Sequence, residues 1–164
     1  RPNTEENNTT ETCSGPQDGS PPAPRRPTAP PPVKTTAAQI WQIAPDPLRE
    51  GIALYAEAFT PGWSRGRDPG WQAVIMAARD LALQHRVSGA DWDRATRVLG
   101  AQRAAICVVV ALANVEATGR WQVRDVAGTL VGLWRSARGE TDLLAKMVAQ
   151  ILRRLGRTPE GSAR

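Results

Sequence analysis

Ten consecutive residues, Ala104 to Ala113, carry no charged or strongly polar side chain. This is the longest apolar run in the chain, about half of the roughly 20 residues that a bilayer-spanning helix needs. The run therefore calls for burial inside protein. It lies in a longer alanine-rich segment, residues 101–117, that contains no Gly or Pro. The β-branched triplet Val108–Val110 suits a strand, but the unbroken alanine-rich context favours a helix. A helix apolar on every face belongs at the centre of a domain, so the rest of the chain has to supply helices that cover it.

The flanking sequence has the periodicity to do so. Asp46 and Pro47 are expected to open a helix as N-cap and first position, with Leu48, Ile52, Tyr55 and Phe59 on one face. Thr60-Pro61-Gly62 ends it. Asp68-Pro69 is expected to start the next, whose stripe runs Trp71, Val74, Ile75, Ala78, Leu81, Ala82 and His85. Ser88 with Asp91 three residues on is a variant capping box, leading into Trp92, Ala95, Val98 and Leu99, and Gly100 suits a positive-φ stop. After the apolar segment come Val123, Val126, Ala127, Leu130, Leu133, Trp134 and Ala137. The last stripe is Leu144, Met147, Val148, Ile151, Leu152 and Leu155, capped by Thr141 and closed by Gly156. The expectation is all-α: a compact bundle of about six helices over residues 46–157, with short connections and crossed or antiparallel neighbours.

The N-terminal part is different in kind. Nine prolines fall in the first 32 residues, and Ile, Leu, Val, Phe, Met, Trp and Tyr are absent from them. Such a stretch has too little apolar surface to offset its ordering entropy. Residues 1–38 read as disordered, 1–45 as a Pro/Thr/Ser-rich linker and 158–164 as a frayed tail. Its proline clusters favour extended, semi-rigid spacing. The chain begins with Arg1, so it is expected to be the C-terminal part of something longer. The lack of a signal segment, with one Cys in the tail and one in the apolar run, points to a reducing, cytoplasmic setting.

Residues 1–38 carry four basic and four acidic side chains, so the whole net charge of +5 belongs to the helical body. A basic body attracts polyanions. The competing reading is compositional, because 19 arginines against two lysines, among many alanines, suit a GC-rich genome. Arg120, Arg124, Arg135, Arg138, Arg153, Arg154 and Arg157 are the candidate contacts to nucleic acid or to a partner. The last three are expected to project from the final helical turn into solvent. Trp63 and Trp121 neighbour Arg65, Arg67, Arg120 and Arg124 and are the tryptophans open to a stacking role. Catalytic chemistry is poorly supplied. The one histidine, His85, is expected on an apolar stripe, and Asp91 with Asp93 sits in a first helical turn where the dipole favours anions. No metal-ligand spacing, phosphate loop or nucleophile elbow is present. Neither an enzyme nor a cofactor is expected.

Four stretches in order carry a resemblance: Trp71 through Leu83; Val87-Ser88-Gly89-Ala90-Asp91-Trp92-Asp93 with Ala95 and Val98-Leu99-Gly100; Ala104-Ala105-Ile106 through Leu112; and Gly128-Thr129-Leu130 through Leu133 with Ala137, Gly139-Glu140 and Leu143. From Asp68 to Leu155 the chain resembles the C-terminal domain of the RepC family of plasmid replication initiators, encoded in repABC-type operons of alphaproteobacteria. It departs from the family pattern at Thr129, Val131 and Thr141, which stand where Tyr, Arg and Phe are usual. The resemblance implies a helical interaction module of a protein that initiates replication at a plasmid origin. Plasmid origin DNA would be bound mainly by an N-terminal winged-helix part that this chain lacks. Host replication proteins or a second copy of the chain are the implied partners, with no membrane. The alternative is a transcriptional regulator or direct DNA binder, with the last two helices as a helix-turn-helix.

Overall fold

A computed structural model describes residues 33–115, 122–140 and 142–157. Among them are seven helices and no strand: α1 (Ala37–Ile43), α2 (Asp46–Phe59), α3 (Trp71–Gln84), α4 (Gly89–Leu99), α5 (Ala101–Ala113), α6 (Val126–Gly139) and α7 (Leu143–Arg154). No helix among the described residues is long and apolar enough to cross a membrane.

The all-α expectation holds, and α5 is the central element. Every residue from Arg103 to Leu112 is buried, and α5 touches α1, α3, α4, α6 and α7. Its thiol, Cys107, lies fully inside. The amphipathic helices turn their stripes inward around it: Leu48, Ile52 and Ala56 from α2, Leu130, Trp134 and Ala137 from α6, and Leu144, Val148, Ile151 and Leu152 from α7. Helix α2 packs mainly on α3, where small residues let the backbones approach. A Cβ placed on Gly51 would lie 3.2 Å from the Cβ of Ala77, so even alanine at this position requires a shift.

The expected boundary at residue 45 is too late. Residues 37–43 form α1, whose Ala37, Ile40 and Ile43 are buried in the common core. A full capping box starts the helix, with Thr36 Oγ1 accepting from Gln39 N and Gln39 Oε1 accepting from Thr36 N. The helix count is therefore one above expectation. Residues 1–32 of the linker expected over 1–45, the tail at 158–164, Thr141 as a cap, and Arg120 and Trp121 lie outside the described residues.

Other boundaries shift for local reasons. Asp46 is the first residue of α2 rather than its cap, which is Pro45. Asp68 does not cap α3; its Oδ1 takes the N–H of Gly70, and Gly70, at φ +76°, is the residue before the helix. His85 is exposed at the C-cap of α3 rather than on its buried stripe. The helix stops there in a Schellman arrangement, with Val87 N donating to Ala82 O and Arg86 N to Leu83 O. Arg86 holds the left-handed position, φ +67°, usually given to glycine. Gly100, at φ +84°, ends α4 and begins α5 at once, a conformation that side-chain-bearing residues rarely adopt.

Candidate functional site

The seven candidate arginines separate into groups with different surroundings. At the C-terminal end of α7, two of them are structural clips. Arg154 donates from Nη1 to Asn114 Oδ1 and from Nη2 to Ala113 O, both at 2.8 Å. Asn114 is buried and donates in turn to Val110 O at 3.0 Å. A guanidinium thus meets the carbonyl end of α5, where the helix dipole favours a cation. Arg157 donates to Gln42 O, held in place by the Schellman turn in which its N–H reaches Leu152 O at 2.9 Å. Arg49 completes the set, donating to Trp41 O and Gln42 O at 3.2 and 3.1 Å. Arg154 and Arg157 therefore close the ends of α5 and α1 instead of projecting freely. Of the expected trio, only Arg153 has an exposed side chain with no hydrogen-bond or ion-pair partner among the described residues.

Arg135 and Arg138 stand elsewhere, beside a cleft of about 210 Å³ between α4 and α6. Helix α4 lends Asp91, Arg94, Ala95, Val98 and Leu99, a set at i, i+3, i+4, i+7 and i+8 that forms one helical face. Helix α6 lends Val131, Trp134, Arg135 and Arg138, again one face. The floor is apolar and part of it is open, with Val98 46 % exposed. Arg94, Arg135 and Arg138 are exposed and have no carboxylate or carbonyl partner among the described residues. Trp134 is buried, and its Nε1–H has no acceptor among the described residues. A buried donor left unsatisfied costs about 1–3 kcal/mol. Asp91 is anchored by its own N-cap: Ser88 Oγ donates to Asp91 Oδ2 at 2.7 Å and accepts from Asp91 N at 3.1 Å.

The remaining candidates lie away from this cleft. Trp63 meets Trp41 edge-on at 5.4 Å between ring centroids, and its Nε1 donates to Asp68 O. Arg124 is exposed just before α6, away from the cleft lining. Tyr55 donates to Asp80 Oδ2 at 2.5 Å and ties α2 to α3; this bond raises the phenol pKa. Burial pushes the Cys107 thiol up to about 12, so it is not a nucleophile at neutral pH. Among the described residues no three His, Cys, Asp or Glu side chains gather as a metal-holding group.

Arg94 is not among the sequence candidates, and Asp91 and Val98 enter there only as a first-turn acid and a stripe residue. Only the pairing of α4 with α6 reveals their common face. An arginine beside Ala95 in one stripe and beside Trp134 in the other is the signal that was there to be found. Comparison with known proteins found no matching family model, no matching curated protein and no matching solved structure.

Proposed function

We propose that the helical body is a protein-interaction module of a plasmid replication initiation protein, supporting initiation at the plasmid origin through protein contact rather than catalysis. The family assignment rests on the four stretches of sequence resemblance. The interaction role rests on one observation: an open apolar cleft bordered by Arg94, Arg135 and Arg138, none of them paired among the described residues. Uncompensated guanidiniums around apolar surface suit a binding face, since arginine and tryptophan dominate interface energetics.

The helix-turn-helix alternative is less well supported. A recognition helix reads bases with its N-terminal half. Here Glu140 and Asp142 flank the start of α7, Lys146 is paired with Glu140 at 3.0 Å, and Asp142 is paired with Lys34 at 3.0 Å. Carboxylates at that end oppose close approach to phosphates.

A salt titration on the plasmid's origin DNA and on scrambled duplex separates the two readings. The interaction module binds both weakly and alike. Replacing Arg153 by Glu then flattens the slope of log K against log salt by about 0.9, the value for one phosphate contact. Strong preference for origin DNA overturns this reading in favour of the helix-turn-helix.

A further inference from the structure

We propose that the α4–α6 cleft captures a short acidic peptide segment of a partner protein. One apolar side chain of that segment rests between Val98 and Val131, and its neighbouring carboxylates are held by Arg94, Arg135 and Arg138. The assignment rests on the interaction-module reading and adds the chemistry of the partner.

Size sets the first limit. The cleft volume is about 210 Å³. A cavity of roughly 150 Å³ lined by aliphatic side chains holds a benzene, while small-molecule sites usually begin near 300 Å³. The space therefore suits one side chain of aromatic or branched aliphatic size and is small for a nucleotide or a cofactor.

Charge sets the second. Three arginines border the cleft against one carboxylate, Asp91, and none of them forms an ion pair among the described residues. Guanidiniums pair with carboxylates in bidentate geometry, and an acidic ligand also relieves their mutual repulsion. A polynucleotide meets the same arginines but also meets Asp91, which lines the cleft and is fixed by Ser88. Asp91 repels the carboxylates of an acidic peptide as well as phosphates, but a peptide also carries main-chain N–H groups that a carboxylate accepts, and a phosphate backbone has none. The floor, apart from Trp134, is aliphatic and offers no row of aromatic platforms for bases. An acidic peptide satisfies all of these features together.

Two occupants from within the system fit less well. A second copy joined symmetrically through this face would gather six arginines against two Asp91 carboxylates, because a two-fold interface places the same patch on both sides. The acidic residues of the N-terminal tail, Glu5, Glu6, Glu11 and Asp18, have no large apolar neighbour to serve as an anchor.

The test uses the full chain, labelled with ¹⁵N, and a capped synthetic pentapeptide of one Phe between two pairs of Glu. Binding moves the Trp134 indole N–H signal, assigned by its loss in Trp134→Phe, in a saturable way. The triple variant Arg94→Gln, Arg135→Gln, Arg138→Gln weakens binding at least tenfold, and so does the peptide with Ala in place of Phe. Arg153→Gln leaves it unchanged, and circular dichroism of the triple variant matches the parent. No saturable shift at millimolar peptide overturns the proposal, as does equal binding of a peptide with Lys in place of Glu. A six-nucleotide thymidine strand that displaces the peptide and binds more tightly reassigns the cleft to nucleic acid. Sedimentation as a dimer that the triple variant abolishes reassigns it to self-association. Failure with the peptide while origin and scrambled DNA remain equivalent rejects the partner class alone; preference for origin DNA rejects the interaction-module reading itself.

Discussion

Two arginine clusters of the same size do opposite things in this molecule. Arg49, Arg154 and Arg157 all point their guanidiniums at main-chain carbonyls or a buried amide, closing the C-terminal ends of α1 and α5. Arg94, Arg135 and Arg138 border an apolar cleft and make no such bonds among the described residues. Net charge treats the six alike. Their hydrogen bonds separate them, because a guanidinium committed to a helix end has lost much of its freedom to meet a phosphate or a carboxylate from outside. The basic character of the body is thus partly a folding device and partly an open surface.

The sharpest way to break this contrast is to remove Arg154. Arg154→Ala leaves the buried Asn114 Oδ1 and the last carbonyl of α5 without their donor. It is expected to cost about 1–3 kcal/mol, seen as a fall of several degrees in thermal midpoint. Asn114→Ala should cost a similar amount, and the double variant less than the sum of the two, since they share one network. Additive losses in chemical denaturation would show that Arg154 does not act through Asn114.

The opposite cluster should respond differently. Replacing Arg94, Arg135 and Arg138 together by Ala is expected to change stability by no more than about 0.5 kcal/mol, and toward greater stability through reduced like-charge repulsion. A loss as large as that of Arg154→Ala, measured in the same denaturant series, would place these arginines in the fold as well.

The smallest effect belongs to the surface pair that links the segment before α1 to the start of α7. A hydrogen bond from Lys34, with its charge, holds the Asp142 carboxyl below its ordinary value. A carboxyl depressed in the folded state contributes stability above the ordinary value of 3.8 and loses it as pH falls through the depressed one. Acid titrations of the parent and of Lys34→Ala should therefore differ slightly near neutrality and converge in strong acid. Both groups are exposed, so salt should shrink the difference.

The legible part of the fold was that carried by short-range pattern. The ten-residue apolar run led directly to the buried α5, and Ser88 with Asp91 marked the start of α4 as the structure has it. What escaped needed context. Thr36 and Gln39 spell a capping box, but proline-rich surroundings drew the linker boundary past it, although α1 buries three side chains. His85 continues the spacing of the α3 stripe, yet Arg86 takes a positive φ and ends the helix first. Arg135 and Arg138 stood out by charge, whereas the cleft they share with Arg94 depends on two helices whose nearest ends are separated by the whole of α5. No local pattern encodes that neighbourhood.

Asn114 has one further bond. Its carbonyl accepts the N–H of Val123 at 3.1 Å, so the chain that leaves the core after α5 is fastened again just before α6. Residues 114 and 123 are thereby held together. For a flexible chain joining two fixed points, each doubling of length adds only about 0.6 kcal/mol of closure entropy. The seam at Asn114 therefore makes the passage from α5 to α6 a permissive place for inserted sequence: the core helix on one side and the cleft helix on the other keep their positions while the length between them varies.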